Sequence, residues 1–282
     1  MVGTLAVSLL TLTQTLDSTY DRRALWLAHG PGSTGVVQGI QASPVGGGIF
    51  VPGADMLETA TDRIRHEYRA SRAAFKRFTV FGGLYIGGAL ATMAYYGGRH
   101  HPKWKPGWGI GLPVATFAVA WAGQANATGG EDHLRRAMWW YNREFPRAVA
   151  DFERANCSYD RCALRVRRRL SSDHFVQGVS EVPVGSLDSQ LELFAAAGDS
   201  ARAHYDTYRL VTENNRQSRR FARVALLGAG VLYVASHNKI ARSFSFGLLL
   251  LSYGAGHMAV YGVASADSEL DQAIWFYNRT LP

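Results

Sequence analysis

The sequence predicts a mainly α-helical membrane protein in which one module occurs twice, giving four transmembrane helices related by a parallel pseudo-two-fold axis. Three observations predict this fold class: an internal repeat, four long apolar runs, and short basic turns that join the runs in pairs. Residues 18–46 align without gaps on residues 157–185. The shared motifs are Tyr20-Asp21-Arg22 with Tyr159-Asp160-Arg161, Val37-Gln38-Gly39 with Val176-Gln177-Gly178, and Pro44-Val45-Gly46 with Pro183-Val184-Gly185.

The apolar runs are long enough to suggest a bilayer. They are Thr79–Gly97, Gly107–Asn126, Phe221–Ser236 and Phe244–Ala266. About 20 apolar residues in a helix cross a hydrocarbon core of ~30 Å. The third run is shorter and contains Arg223, whose long side chain can reach the membrane interface from the end of the run. The alternative is that the runs are core helices of a soluble protein. Long stretches without any charged residue favour the membrane.

The charge of the chain points to lipid headgroups. The net charge is +8 and the mean hydropathy is -0.09. Basic residues flank the apolar runs, and no aromatic and basic surface of a nucleic-acid-binding domain is recognisable. The predicted partners are therefore the lipid bilayer and either other integral membrane proteins or a second copy of this chain, without nucleic acid.

Each module has the same predicted order of elements. A leader-like apolar segment, residues 1–16, precedes module 1 (17–147) and module 2 (148–282). Within the modules we expect a β-hairpin cap (17–53 and 157–186), a long helix continuing into a first span (55–97 and 189–236), a second antiparallel span (107–126 and 244–266), and an interfacial anchor (134–146 and 270–282). The β-prone runs of the two caps predict hairpins, which we expect to pair into one four-stranded cap.

Polar residues mark the start of each long helix. Asp55 with Glu58, and Ser189 with Glu192, have the spacing of an N-cap residue and its capping-box acid. Mostly apolar residues then recur at near-heptad spacing and form a narrow seam. Its members are Leu57, Ile64, Tyr68, Ser71, Phe75 and Phe78 in module 1 and Leu191, Phe194, Ala201, Tyr205, Tyr208 and Asn215 in module 2. The seam can contact a partner helix or the cap of its own module, and the sequence favours neither.

Two aromatic segments predict membrane-interface anchors, because Trp and Tyr with a nearby Arg are enriched at that depth. The alternative is an aromatic platform for a ligand. The predicted anchor residues are Trp139, Trp140, Tyr141 and Arg143 in module 1 and Trp275, Phe276, Tyr277 and Arg279 in module 2.

The chain contains two cysteines, Cys157 and Cys162, at the start of module 2. Their spacing does not match a metal-binding motif. We predict a local disulfide, with two free thiols as the alternative. Residues 30–35 formally fit G-x-G-x-x-G, but they lie between two short extended runs and predict a turn.

Helix packing and one polar residue complete the candidate sites. Gly83 with Gly87, and Ser252 with Gly256, are small residues four apart that allow helices to approach closely. His257 lies inside the fourth apolar run, where an imidazole can bind a metal, haem or pigment, or form an interhelical hydrogen bond. No catalytic set, metal site or required cofactor is predicted.

These features predict a non-enzymatic integral membrane accessory or scaffold subunit that packs against other membrane proteins in a larger assembly. One alternative is a small channel or carrier with a passage between the two hairpins. Another is a pigment- or haem-binding or enzymatic subunit that uses His257. A leader and oxidised cysteines agree in placing the caps on the periplasmic or extracellular side, whereas the count of basic residues favours the cytoplasm.

Overall fold

The computed structural model describes residues 19–30, 33–48, 54–97, 107–145, 157–168, 173–187, 190–235 and 262–281. Module 1 contains α1 (Thr19–Arg23), β1 (Leu25–Gly30), β2 (Ser33–Gln38), β3 (Ser43–Gly48), α2 (Asp55–Glu58), α3 (Asp62–Gly97) and α4 (Gly107–Asn142). Module 2 contains α5 (Tyr159–Cys162), β4 (Leu164–Arg167), β5 (His174–Gln177), β6 (Val182–Ser186), α6 (Leu191–Ala195), α7 (Asp199–Ala235) and a last helix, α8, at residues 262–279. The repeat predicted from the sequence therefore has the same order of elements in both copies.

The caps differ from the prediction. Each is an antiparallel three-stranded sheet, in the orders β1-β2-β3 and β4-β5-β6, and the two remain separate sheets instead of pairing into a four-stranded one. The third strand carries the repeated Pro-Val-Gly motif, whose proline and glycine disfavour a strand by propensity but are tolerated at an edge. Gly39 and Gly178 both have φ near +68° beside a backbone carbonyl of the preceding short helix, which makes glycine necessary at that turn.

The predicted long helix is interrupted once in each module. A short helix precedes it, α2 in module 1 and α6 in module 2, and neither of these short helices has a side-chain hydrogen bond at its N-cap. The Asp55–Glu58 capping box is therefore not formed. In module 2 the break falls at Gly198, which has φ near +110°. Ser189 lies outside the described residues.

The seam of each long helix is buried within its own module. Ile64, Tyr68 and Phe75 of α3 pack with the strands of the first sheet and with Leu134 of α4. In module 2, Ala201, Tyr205 and Tyr208 of α7 pack with the second sheet and with α8. The seam therefore contacts both the cap and the returning helix of the same module, so the two alternatives left open by the sequence are both partly realised.

The prediction of four transmembrane helices is wrong. None of the helices in the described part of the chain combines the length and the apolar character needed to cross a bilayer. In α3 the run that suggested a span is dominated by Gly, Ala, Thr and Tyr, so its hydropathy per residue is modest although it lacks charge. The predicted multi-pass membrane location is therefore also wrong. The predicted fourth span lies mostly outside the described residues, and the leader-like segment lies entirely outside them.

Candidate functional site

The two modules meet through reciprocal aromatic contacts. Tyr20 of module 1 packs against Trp275 of module 2, with ring centroids 5.4 Å apart, and Tyr159 of module 2 packs against Trp139 of module 1 at 5.1 Å. In both pairs the rings are tilted by 34°. Tyr20 and Tyr159 are equivalent in the repeat, and so are the two tryptophans. Each module therefore contributes the same patch to the interface, as in an isologous dimer.

Ion pairs repeat this reciprocity. Arg279 Nη2 donates to Asp21 Oδ2 at 2.8 Å, and Arg143 Nη2 donates to Asp160 Oδ2 at 2.5 Å. In both pairs an Asp of the short first helix binds the Arg that follows the aromatic motif of the other module. The predicted membrane anchors Arg143 and Arg279 thus form bonds between modules.

An asparagine fastens the last helix of each module to its own sheet. The Asn142 side chain accepts from the Leu25 amide at 2.7 Å and donates to the Leu25 carbonyl at 2.8 Å. Asn278 makes the same two bonds with Leu164, at 2.7 and 2.9 Å. Both asparagines are buried. Each asparagine side chain therefore binds both the backbone N–H and the backbone carbonyl of one strand residue.

A buried ion pair lies at the centre of the interface. Arg135 Nη2 donates to Asp271 Oδ2 at 2.8 Å, and His29 Nε2 is 2.8 Å from the same oxygen. Burial by itself raises the pKa of Asp271, but Arg135 and His29 outweigh it and hold that pKa well below its usual range. Burial likewise lowers the pKa of Arg135, but Asp271 and Glu131 outweigh it and the pKa is raised. The pair is ionised at every ordinary pH.

Module 2 extends this network from the end of its first strand. Arg165 Nη1 donates to Asp132 Oδ1 at 3.0 Å, and Arg168 Nη2 lies 2.5 Å from Asp267 Oδ1. Burial raises the pKa of Glu131, but Arg168 and Arg135 reverse the effect and lower it. Beside its aromatic contacts, the interface therefore contains guanidinium and carboxylate groups that are bound to one another.

The centre of the interface leaves little room for a substrate. A cavity of about 50 Å³ lies between the first helices, the first strands and the last helices of the two modules. That volume accommodates ordered water at most. Among the residues that the structure describes, no group of three His, Cys, Asp or Glu side chains is arranged to hold a metal ion. The charged groups here hold the modules together.

A second feature is apolar and exposed. The halves of α3 and α4 remote from the sheets carry a set of large apolar side chains that are 45–73% exposed, which we call the hairpin surface. Its members are Val80, Leu84, Tyr85, Ile86, Leu90, Val114, Phe117 and Trp121. On α7, Phe221, Val224 and Leu227 are similarly exposed.

The predicted packing glycines belong to this exposed part. A Cβ added to Gly83 or Gly87 would meet nothing within 4 Å, so neither glycine lies at the contact between α3 and α4. Three other glycines do: Gly88 faces Thr116, Gly123 faces Phe81, and Gly130 faces the Phe75 ring. Spacing alone does not reveal which side of a helix a small residue occupies.

The other predicted residues divide between the core and the undescribed chain. Trp139, Trp275 and Tyr277 are buried in the interior, while Trp140, Tyr141 and Phe276 are partly buried against it. The side chains of these aromatic segments therefore make contacts within the protein. Cys157 and Cys162 are joined in a disulfide, with Cα atoms 5.8 Å apart. Ser252, Gly256 and His257 lie outside the described residues.

The sequence reasoning missed the central charges. Arg135 and Asp271 are equivalent positions of the repeat, one residue after Leu134 and Leu270. The two copies carry opposite charges at this position, and that difference within a duplicated segment could have indicated that the two side chains meet.

Comparison with known proteins yields no relative. No family model matches the sequence, and neither a curated protein nor a solved structure is detectably similar to it.

Proposed function

We propose that this protein is a non-enzymatic accessory or scaffold protein that binds another protein through the hairpin surface. The observation that carries the proposal is the exposure of eight large apolar side chains on α3 and α4. An extended apolar patch on a folded protein commonly marks a binding surface, because leaving it in water is unfavourable. Its occupant would be a protein with an apolar helical face, or a second copy of this chain.

The glycines of the hairpin surface support a helical occupant. Gly83 and Gly87 are exposed on α3, with nothing above them. Small residues four apart let a second helix approach the backbone closely, and the flanking Leu84, Ile86 and Leu90 supply apolar contacts on either side.

The two-module body supports the same role. Each module has its own hydrophobic core, and buried ion pairs and aromatic contacts join the two modules. In module 1, α3 and α4 pack along each other. A surface carried on such a fixed hairpin is presented in one orientation, which lowers the conformational cost of binding.

The test disrupts the hairpin surface and compares it with an exposed leucine elsewhere. In the double variant Ile86→Asp/Phe117→Asp, charges replace two side chains that are 59% and 73% exposed, so folding is little affected. Leu210→Asp on α7 is the matched control, because Leu210 is 65% exposed and is not part of the hairpin surface.

We expect the wild-type protein, carrying a photo-crosslinker at Leu90, to crosslink to a defined partner or to a second copy in its native cells. The double variant with the same crosslinker should lose this product, and Leu210→Asp should keep it. A product that persists in the double variant, or a wild-type protein that yields no product and sediments as a monomer, would overturn the proposal.

A further inference from the structure

Module 2 contains a polar pocket of about 480 Å³. The edge of its sheet where β4 ends and β5 begins forms one wall, and α7, α8 and a residue of α4 form the others. The volume lies within the range of small-molecule sites, roughly 300–1,000 Å³. Its polar lining includes Arg168, Asp173, Thr212, Asn215, Arg216 and Asp267.

In module 1 the side chain of Phe75 fills the space that corresponds to this pocket. The repeat aligns Thr212 with Phe75 and Ala266 with Gly130, a register confirmed by the pairs His133–Glu67 and His204–Glu269. Phe75 is 5% exposed, and its ring atoms lie 3.1–3.3 Å from the point where a Cβ on Gly130 would stand. The absence of a side chain at Gly130 therefore admits the ring.

Module 2 lacks that ring. Thr212 replaces Phe75, and Asn215 replaces Phe78, so two aromatic side chains are exchanged for small polar ones. Asn215 is 9% exposed, and its Nδ2 makes no hydrogen bond with the described residues. A buried donor of this kind is normally satisfied by water or a ligand. The difference between the copies therefore leaves a polar site in module 2.

The charges of the lining define the ligand class. Two guanidinium groups, of Arg168 and Arg216, and two carboxylates, of Asp173 and Asp267, line the same pocket. Arg168 is ion-paired with Asp267 at 2.5 Å, and Arg216 is ion-paired with Glu213 of its own helix at 3.0 Å. A ligand of net charge would leave a partly buried charge uncompensated. A molecule with one positive and one negative group would match both signs in the lining.

We propose that this pocket binds a small zwitterionic molecule of the amino-acid class. Its carboxylate pairs with guanidinium groups of the lining, and its ammonium group pairs with carboxylates. The hydroxyl of Thr212 and the amide of Asn215 supply neutral hydrogen-bonding groups beside the charged ones. This site is independent of the hairpin surface.

The experiment restores the residues of module 1. In Thr212→Phe/Ala266→Gly, both pocket positions carry the pair that packs successfully as Phe75 and Gly130. The probes are the free proteinogenic amino acids, tested by ligand-observed NMR and then singly by calorimetry, with glucose as a neutral polyol and citrate as an anion. The mirror variant Phe75→Thr in module 1 controls for general loosening of the fold.

We expect saturable binding of at least one amino acid to the wild-type protein and to Phe75→Thr. Binding should be at least about tenfold weaker in Thr212→Phe/Ala266→Gly, provided that this variant keeps the wild-type circular dichroism spectrum. If the double variant does not fold, Asp173→Asn serves in its place and should weaken binding similarly. Unchanged affinity in the folded pocket variant, saturation by glucose or citrate alone, or no binding by any probe would overturn the proposal.

Discussion

The two modules have the same elements but differ in the residues that lie on the pseudo-two-fold axis. Away from the axis the copies can have identical residues, such as Asn142 and Asn278. Each of these binds a strand residue of its own module and does not meet its equivalent in the other module. On the axis, equivalent positions meet, and there the copies carry Arg135 and Asp271. Two identical charged residues would repel each other in a buried site. A buried contact between charged residues at equivalent positions therefore requires the two copies to carry opposite charges there.

Ion pairs between positions that are not equivalent in the repeat can have the same residue types in both copies. Asp21 with Arg279 and Asp160 with Arg143 keep the same residue types in both copies. Their environments nevertheless differ, since Asp21 is fully buried whereas Asp160 is 40% exposed. The same bond is thus formed once in the interior and once near the surface.

The largest effect is expected from making the axis positions identical. Asp271→Arg should destabilise the protein by about 3–5 kcal/mol or prevent folding, because it places a second guanidinium beside buried Arg135. The reversed pair Arg135→Asp/Asp271→Arg should recover part of the loss, although the carboxylate introduced into α4 would then lie near Glu131. Urea unfolding measures both variants. Equal stability of Asp271→Arg and wild type would contradict the role of this pair.

The next largest effect is a difference in stability between variants of the two reciprocal ion pairs. Asp21→Ala should cost about 3 kcal/mol, because it removes the buried carboxylate that compensates the largely buried charge of Arg279. Asp160→Ala should cost about 0–1 kcal/mol, since water already solvates that pair. The two variants are matched controls for each other in thermal and urea unfolding. Equal losses would mean that burial does not distinguish the modules.

The asparagines should show that the modules are alike where they do not meet. Asn142→Ala and Asn278→Ala should each cost about 2 kcal/mol, because each leaves a strand amide and carbonyl without their partner. We expect the two free energies of unfolding to agree within about 0.5 kcal/mol. A clear difference between them would show that the two sheets are held to their helices by different interactions.

The smallest effect is expected from the disulfide. Cys157→Ser/Cys162→Ser should lower the free energy of unfolding by at most about 2 kcal/mol, since the closed loop is short. Module 1 forms the corresponding helix, α1, with Ser18 and Arg23 at the equivalent positions. Unfolding of wild type with and without reductant gives the same comparison. A loss well above this value would indicate that module 2 depends on its crosslink in a way that module 1 does not.

Sequence reasoning was most successful where the signal is local or repeated. The repeat placed equivalent elements in order, and alternating β-prone runs around turns predicted β1 with β2 and β4 with β5. It failed on β3 and β6, because an edge strand can hold the Pro and Gly that propensity excludes. It also failed on the apolar runs, because the absence of charge does not make a segment rich in Gly, Ala and Tyr hydrophobic enough for a membrane.

The sequence by itself determined the duplication, the long helices and the positions at which the copies diverged. Only the tertiary structure decided what those positions contact. Trp139 and Trp275 would suit a membrane interface as well as they suit the protein interior. The reason is that an aromatic ring with one polar atom is stable in both environments. Arg135 meets Asp271 because the pseudo-two-fold axis passes between them, and an axis relating two modules is a property of their packing that no local pattern contains.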